Sequence, residues 1–416
     1  MNDFIYQGGN AISEEDFRNH LTSLCQLENV GVLLGAGASA GCGGMTMQQV
    51  WEDFKINNEL LIPELKAFKL IPEVEEHSNI INVELLLDKV TQFLSVYKAL
   101  DTEIEGEETL RLNKILLALY QSVTKAALLV GVDSFDKSHI GREERLSSHR
   151  SLLEKLISNR QPGQAAPMLF TTNYDLSLEW SAEEVGIQLF NGFSGLHTRT
   201  FQPQNFDLSF RNVNAQGEAR FGHYHAYLFK LHGSLTWVQE QGTEIIEIPS
   251  PLAKSKYIEP LLNGDSVFNK QFLIYPGANK YHHTIGFVYG EMFRRFSEFL
   301  SKPQTAIFVN GYGFGDYHIN RIILGALLNP SLHIVIFFPE LDSLPEMNQE
   351  MSEAQKCIKK LKSLSLNQIT IVGGGKKAYF DAFVKYIPKP VLFPKDTSAR
   401  DLVDAINDLV QSSKEL

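Results

Sequence analysis

The sequence has few cysteines, and their spacing excludes one common kind of metal site. Its three cysteines, Cys25, Cys42 and Cys357, are scattered along 416 residues and form no C-x-x-C pair. Three dispersed thiols cannot supply a zinc site with four thiolate ligands, and they are typical of a protein in a reducing compartment. We therefore expect a cytoplasmic protein that holds no zinc.

Long apolar runs and an excess of basic residues are also missing. No run approaches the roughly 20 apolar residues that a membrane-spanning helix needs, and the acidic opening Met1-Asn2-Asp3 does not resemble a signal peptide. The formal net charge of −11 argues against general nucleic-acid binding, which favours basic surfaces. We expect neither a membrane nor a nucleic acid as a direct partner.

Short apolar runs that end in turn or polar residues are present throughout the chain. They lie near residue 31 and at 167–172, 305–310, 333–338 and 368–372. Runs that are apolar on both faces are typical of buried parallel strands, and ligands bind at the carboxyl ends of such strands. One run alone would fit a core helix equally well, but five together predict an α/β fold with a Rossmann-like parallel sheet.

Two regions differ from this pattern. From about 47 to 163 the chain is rich in helix formers, and segments 83–90 and 112–119 have helical apolar spacing, which predicts a large helical insertion. Between about 200 and 285, segments 221–230 and 244–248 favour strands of a smaller β-containing module. We expect residues 1–416 to form one sheet domain that these two regions interrupt.

The stretch GVLLGAGASAGCGGMTM, residues 31–47, places five glycines directly after an apolar run. A glycine-rich turn between a strand and a helix lets backbone N–H groups approach a phosphate. Such turns are also common for purely structural reasons, and the strict G-x-G-x-x-G spacing and the P-loop lysine are both missing. The stretch alone leaves dinucleotide binding and a structural turn open, and it argues against an ATP-binding P-loop.

A second motif, LFTTNYD at residues 169–175, places an amide and a carboxylate two residues apart after a predicted strand. Asn173 and Asp175 could both point into one cleft. The same residues would also suit a turn that caps the helix beginning near Leu176, and the motif alone favours that structural role.

Two later motifs also follow predicted strands. In FKLHGSLTW, residues 229–237, His232 precedes Gly233, which leaves the imidazole ring open to a ligand, although a lone histidine is more often structural. In VNGYGFGDYHIN, residues 309–320, a second glycine-rich turn appears, as the other half of a dinucleotide would require.

In this order, the four motifs resemble those of the sirtuin family, and most closely its bacterial sirtuin-like branch. Members of that branch carry TTNYD, KLHGS and GYGF-D-HIN in nearly these forms, and residues 82–86, NVELL, also resemble a segment of the branch. The resemblance covers about 30–45, 165–240 and 300–325. It implies a sirtuin-type Rossmann-like fold and NAD as substrate.

The resemblance also implies roles for the matching residues. Asn173 would bind the ribose and hold the attacking water, Asp175 would accept a hydrogen bond from the nicotinamide carboxamide, and His232 would act as a base. The residues expected to bind NAD are Gly35, Ala36, Gly37, Ser39, Thr172, Asp175, Gly311, Tyr312, Gly313 and Asp316. For Asp316 and His318, a turn-stabilising pair is an equally good interpretation.

The sequence departs from the sirtuin deacetylases in two ways. It cannot build their four-cysteine zinc module, and Thr172 and Tyr174 replace the family's glutamine and small aliphatic residue. These departures put acyl-lysine binding in doubt. The leading interpretation is an NAD hydrolase that cleaves the nicotinamide–ribose bond. An NAD or ADP-ribose sensor without turnover is the alternative, and an NAD-dependent deacylase is third.

The resemblance further implies a biological setting. Members of the branch deplete NAD in phage-infected bacteria, and they pair with a HerA-type ATPase or assemble into homo-oligomers. We therefore expect a homo-oligomer, a HerA-type ATPase partner and a role in antiviral defence by abortive infection.

Overall fold

The fold is known from a computed structural model. It describes residues 4–73, 81–100, 106–129, 142–161, 163–196, 198–210, 213–214, 216–217, 225–240, 244–264, 270–272, 285–344 and 351–389.

The strands in this part of the chain are β1 (Ile5–Gln7), β2 (Asn10–Ala11), β3 (Asn29–Leu34), β4 (Met168–Thr171), β5 (Gln188–Phe190), β6 (Phe193–Ser194), β7 (Arg199–Phe201), β8 (His225–Lys230), β9 (Trp237–Glu240), β10 (Ile246–Glu247), β11 (Lys270–Phe272), β12 (Thr305–Asn310), β13 (Leu332–Phe337) and β14 (Ile369–Val372).

The α-helices are α1 (Glu14–Leu24), α2 (Ala36–Ser39), α3 (Met47–Asn57), α4 (Ile62–Ala67), α5 (Val83–Leu100), α6 (Glu107–Ala127), α7 (Arg142–Arg145), α8 (Ser147–Ser158), α9 (Ser177–Glu184), α10 (Ser250–Ala253), α11 (Glu259–Leu262), α12 (Ile285–Ser301), α13 (Tyr317–Ala326), α14 (Glu353–Ser363) and α15 (Phe380–Tyr386). Among these described helices, none combines the length and the apolar content that a membrane span requires.

The larger of the two sheets in the described part of the chain confirms the predicted α/β fold. Its order is β2-β1-β14-β13-β12-β3-β4-β8-β5, and all neighbours from β14 to β5 are parallel. The five apolar runs predicted as strands are β3, β4, β12, β13 and β14. In β3 and β12 every residue is buried, as expected for strands that are covered on both faces.

Helices cover both faces of this sheet. On one face, α1, α8 and α15 bury residues such as Phe17, Leu152 and Phe383 against the strands. On the other face, α12, α13 and α14 do the same with residues such as Phe296 and Ile319. The result is a three-layer α/β arrangement in which the carboxyl ends of the parallel strands form one open edge.

The strand order changes direction between β3 and β12. From β3 the sheet continues through β4 and β8 on one side, whereas β12, β13 and β14 follow on the other. Open α/β sheets bind ligands outside the carboxyl ends of the strands at such a switch point.

In the described part of the connection from β3 to β4, every regular element is a helix. Helices α3, α5 and α6 form a core of their own that includes Trp51, Phe54 and Leu119, and this core also contacts Tyr174 and Leu235 from the sheet domain. The final helix of the connection, α8, packs on the sheet instead. The division of the chain into a domain and an insertion, 47–163, stays a prediction.

A smaller antiparallel sheet has the order β11-β9-β10-β7-β6. Its strand β10 confirms a strand within 244–248. The assignment of 221–230 to this module is wrong for the residues described, because 225–230 form β8 between β4 and β5 of the large sheet, and 221–224 lie outside the described residues. Ala226, Leu228 and Phe229 are fully buried, as in the other central strands.

Candidate active site

The predicted site residues gather at one edge of the large sheet. The turn after β3 carries Gly35 to Ser39, the turn after β4 carries Thr172 to Asp175, and His232 follows β8. The turn after β12 carries Gly311 to Asp316. Because these four strands are neighbours and parallel, all four motifs lie at their carboxyl ends, around the switch point.

The two glycine-rich turns pack directly against each other. A Cβ at Gly35 would lie 2.5 Å from the Gly311 carbonyl oxygen and 2.6 Å from the Tyr312 Cα, and one at Gly37 would lie 2.8 Å from the Gly311 Cα. Gly311 has a φ of +67°, and its own Cβ would lie 2.2 Å from the Ala38 nitrogen. What approaches the backbone of residues 35–37 most closely is therefore another segment of the same chain.

Three backbone N–H groups of the first turn donate hydrogen bonds within the protein. The Gly35 N–H donates to the Asn310 carbonyl at 3.1 Å, the Gly37 N–H to the Gly311 carbonyl at 3.0 Å, and the Ala38 N–H to the Gly35 carbonyl at 2.9 Å. The N–H groups of Gly35 and Gly37 thus join the two segments, whereas that of Ala38 closes the first turn on itself. The predicted contacts of Gly35, Ala36 and Gly37 with a pyrophosphate stay a prediction, as does that of Gly313, where a Cβ would meet open space.

Asn173 and Asp175 both reach across to the first glycine turn. The Asn173 Nδ2 donates to the Gly35 carbonyl and to the Ser39 Oγ, each at 3.0 Å. The Ser39 hydroxyl donates in turn to the Asp175 Oδ2 at 2.7 Å. Three of the predicted site residues thus form one hydrogen-bonded chain between the ends of β3 and β4.

Asp175 also has the structural role that the sequence left open. Its Oδ1 accepts a hydrogen bond at 3.0 Å from the N–H of Ser177, the first residue of α9, in an Asx-type turn. Thr172 continues the pairing of β4, because its N–H donates to the Leu34 carbonyl at 3.0 Å. The carboxylate of Asp175 is therefore fixed by protein groups at both oxygens.

A buried lysine lies beneath this turn. The Lys230 Nζ donates to the Asp175 carbonyl and to the Glu179 Oε1, the latter at 2.7 Å. Burial raises the pKa of Glu179 above its usual range, although the Lys230 ammonium opposes that change. An ion pair removed from water in this way is costly to break by deleting one partner, so Lys230 anchors the segment that carries Asp175.

His232 lies between two carboxylates. Its Nε2 is 3.0 Å from the Asp316 Oδ2, and its Nδ1 is 3.8 Å from the Glu84 Oε1. The imidazole is 6% exposed, and each carboxylate side chain is 22% exposed. Asp316 belongs to the turn after β12, whereas Glu84 is the second residue of α5 in the helical region.

The two carboxylates determine the charge of this histidine. Burial alone would lower the pKa of His232, but Asp316 and Glu84 outweigh it and raise that pKa to about 10. Conversely, although burial raises the pKa of Asp316, the His232 imidazolium holds it below its usual range. In this arrangement His232 is an imidazolium at neutral pH and not a free base.

Asp316 has two roles, whereas His318 has no side-chain role in the site as described. The Asp316 Oδ1 caps α13 by accepting from the N–H groups of His318 at 2.7 Å and Ile319 at 3.1 Å, while Oδ2 faces His232. The Tyr312 hydroxyl supports this turn because two acceptors share its one proton, the Asp316 carbonyl at 3.2 Å and the Asn320 Oδ1 at 2.9 Å. The His318 side chain is exposed.

Sequence reasoning did not assign two residues that take part in the site. Lys230 precedes LHGS in the motif, and a lysine at the end of an apolar strand was a visible but unspecific signal. Glu84 lies in NVELL, which was noted only as a resemblance. Nothing local connects it with His232, because the contact forms only when α5 packs over the sheet edge.

No group of three or more histidine, cysteine, aspartate and glutamate side chains that could hold a metal ion occurs among the described residues. Burial raises the pKa of Cys25 and of Cys42 to about 12, so both thiols stay protonated. The expectation that the protein holds no zinc stays a prediction.

Comparison with known proteins adds to this geometry. A search of curated proteins gave no match. One similar solved structure carries the description "Structural Basis for the Mechanism and Regulation of Sir2 Enzymes" and is 12% identical in sequence. The alignment covers 85% of this chain and 98% of the other chain, and the TM-score is 0.36.

The family comparison is more informative. Residues 167–361 match the SIR2-like domain, and this range contains Asn173, Asp175, His232 and Asp316. The turn after β3 precedes the matched range but is bonded to it through Asn173. The match supports a sirtuin-like assignment for residues 167–361, which are a little under half of the chain.

Proposed function

We propose that the protein is an NAD hydrolase that cleaves the nicotinamide–ribose bond and releases nicotinamide and ADP-ribose. One observation carries the proposal. Asn173, Asp175, His232 and Asp316 lie within the residues that match a SIR2-like domain, at the carboxyl ends of neighbouring parallel strands. That edge is where an open α/β sheet binds its ligand.

The reaction makes modest demands on the protein. The bond between the anomeric carbon and the nicotinamide nitrogen breaks, and its electron pair leaves with the nicotinamide, which becomes neutral. A water oxygen then bonds to the anomeric carbon, and one water proton is released. The transition state resembles an oxocarbenium ion, as in glycoside hydrolysis, so orientation and electrostatic stabilisation supply most of the rate enhancement.

The residues of the site are assigned to these steps as follows. Asn173 orients the ribose and the attacking water through its amide, and Asp175 accepts a hydrogen bond from the nicotinamide carboxamide. His232 accepts the released proton once it is neutral. Because Asp316 and Glu84 raise the pKa of His232 to about 10, the neutral form is the minor one at pH 7, which suits an enzyme that is nearly silent in this arrangement.

A second function is favoured by the same contacts. The Asn173 Nδ2 donates to Gly35 and Ser39, and His232 is held protonated beside Asp316. Both side chains are therefore fixed by contacts within the protein, which favours binding over catalysis. A protein that binds NAD or ADP-ribose without turnover would need no more than this. A deacylase is the weakest alternative, since the sequence cannot build the zinc module of sirtuin deacetylases.

A nearly silent NAD hydrolase fits the biological role that the resemblance implied. Depletion of NAD kills the host cell, so the activity must wait for a trigger. We propose antiviral defence by abortive infection as the role, and a HerA-type ATPase or self-assembly as the regulator.

The test of the proposed function is release of nicotinamide. Purified protein is incubated with NAD and an acyl-lysine peptide is added in parallel, with products separated by chromatography. Nicotinamide and ADP-ribose without deacylation support the hydrolase. Binding of NAD in calorimetry without any product would favour the sensor, provided that the result is the same when the product of the gene beside its own, the expected source of a HerA-type partner, is added.

Substitution of Asn173 tests the assignment of the site. Asn173→Ala should lower NAD cleavage by about 10²–10⁴-fold, because a positioned catalytic group is lost. Asn173→Asp keeps the size of the side chain but loses the amide donor, so it should lose activity similarly. Asn19→Ala, at an exposed position on α1, is the matched control and should cleave NAD at the unmodified rate. A folded Asn173→Ala variant with unchanged nicotinamide release would contradict the assignment.

A further inference from the structure

Both ring nitrogens of His232 face an oxygen of a carboxylate. The Nε2 lies 3.0 Å from Asp316, and the Nδ1 lies 3.8 Å from Glu84. A neutral imidazole carries one N–H and one lone pair, so in either tautomer a lone pair would face a negative oxygen. The Nδ1–Glu84 distance is too long for a hydrogen bond, so Glu84 acts on the ring through its charge. Only the doubly protonated ring avoids turning a lone pair toward one of the two carboxylates, and this geometry favours the imidazolium.

The two carboxylates come from different parts of the fold. Asp316 is fixed to the sheet domain because it caps α13 directly after β12. Glu84 lies in the first turn of α5, where the Asn82 Oδ1 accepts hydrogen bonds from the N–H groups of Glu84 at 2.9 Å and Leu85 at 3.2 Å. The distance from Glu84 to His232 therefore depends on how the helical region lies on the sheet edge.

We propose that Glu84 is a positioning residue that holds His232 in its protonated form, and that it thereby makes the proton acceptor of the site depend on helix α5. The consequence for catalysis rests on the proposed NAD hydrolysis. The contact itself does not, because the charge of His232 can be measured without any substrate.

The other titratable groups around the ring do not explain its charge. The Tyr289 hydroxyl of α12 donates to the His232 carbonyl at 3.3 Å, and the Tyr312 hydroxyl donates to the Asp316 carbonyl. Burial raises the pKa values of Tyr174, Tyr289 and Tyr312 well above their ordinary value, so all three stay neutral over the physiological range. Of the charged side chains described, Glu84 and Asp316 are those in contact with the imidazole.

The direct test is a titration of His232 by NMR in the full-length chain with labelled histidine. The His232 resonance is assigned by its absence in a His232→Gln variant. Glu84→Gln keeps the size of the side chain and removes its charge, so the pKa of His232 should fall by at least about one unit. Glu84→Asp retains the charge and should restore part of the difference. Glu108→Gln, which removes an exposed carboxylate from α6, should leave the titration unchanged.

The second readout is the pH dependence of NAD cleavage. A fall of one unit in the pKa of His232 increases its neutral fraction about tenfold at neutral pH, so Glu84→Gln should cleave NAD about tenfold faster at pH 7. If Glu84 only stabilised the fold, Glu84→Gln would change the rate of NAD cleavage but would leave the shape of its pH dependence unchanged. An unchanged His232 titration in a folded Glu84→Gln variant would overturn the proposal. A shifted titration with no NAD cleavage at any pH would support it and would instead contradict the proposed function.

Discussion

Most polar side chains of the candidate site also make hydrogen bonds or ion pairs that stabilise the fold. Asp175 binds Ser39 with one oxygen and the N–H of Ser177 with the other. Asp316 caps α13 with one oxygen and pairs with His232 through the other. Since each carboxylate has a structural partner, an alanine substitution removes two interactions at once. Isosteric substitutions therefore separate function from stability better at these positions.

The charge of His232 predicts how the free energy of unfolding changes with pH. Its pKa is about 10 in the folded protein and near 6.5 in an unfolded chain, so the folded state binds the proton more tightly. The contribution of His232 to stability is fully present below about pH 6.5 and is lost as the pH rises toward 10. Between pH 6.5 and 8.5, urea unfolding should show stability falling by up to about 1.4 kcal/mol per pH unit.

The control for this measurement is His232→Gln, in which that slope should be absent. The pH range stays below 8.5 because Cys25 and Cys42 also have raised pKa values, and their own contributions are lost at higher pH. Equal slopes for the unmodified and substituted proteins would mean that His232 is not the group responsible.

At the scale of elements, the site depends on the contact between the turns after β3 and β12. These strands are hydrogen-bonded neighbours, so their turns leave the sheet side by side. Gly35, Gly37 and Gly311 let the two backbones touch, and hydrogen bonds from Gly35 and Gly37 close the contact. Asn173 then joins the turn after β4 to the same unit.

Two glycine substitutions test this contact. In Gly35→Ala the new Cβ would lie 2.5 Å and 2.6 Å from backbone atoms, which cannot move away as a flexible side chain could. The free energy of unfolding should fall by roughly 1–3 kcal/mol, as for other overpacked sites. Gly41→Ala is the matched control, because a Cβ there meets nothing within 4 Å and the residue needs no positive φ. Equal thermal stability of the two variants would show that the turns can separate.

An element could be predicted from the sequence where the interactions that form it are local, and could not where they join residues far apart along the chain. The strands β3, β4, β12, β13 and β14 were predicted because an apolar run covered on both faces is a local signal. The sheet to which β8 belongs could not be predicted, because strand pairing joins residues far apart along the chain. A phosphate and a second backbone turn both require glycine, so the sequence alone could not distinguish them. The contact of Glu84 with His232 left no local pattern.

At the scale of the whole molecule, burial accounts for part of the apolar runs in the helical region. Leu86, Leu87 and Leu116 are buried in a core that also contacts Tyr174 and Leu235 from the sheet domain. The region thus packs over the sheet domain, as a lid would. A set of apolar side chains on it is nevertheless exposed, namely Ile56, Leu60, Leu85, Val96 and Leu110.

Assembly through this exposed set is our last prediction. Leu85 is 55% exposed and directly follows Glu84, so a subunit that covers Leu85 would also act on the contact between Glu84 and His232. We expect light scattering to show an oligomer at micromolar concentration, alone or with the neighbouring gene product. Leu85→Glu should weaken that assembly, because it places a charge in an apolar interface, whereas Leu328→Glu at a 91% exposed position on the sheet domain should not. A strict monomer under both conditions would rule out control by assembly, and it would leave movement of α5 within one chain as the way to free His232.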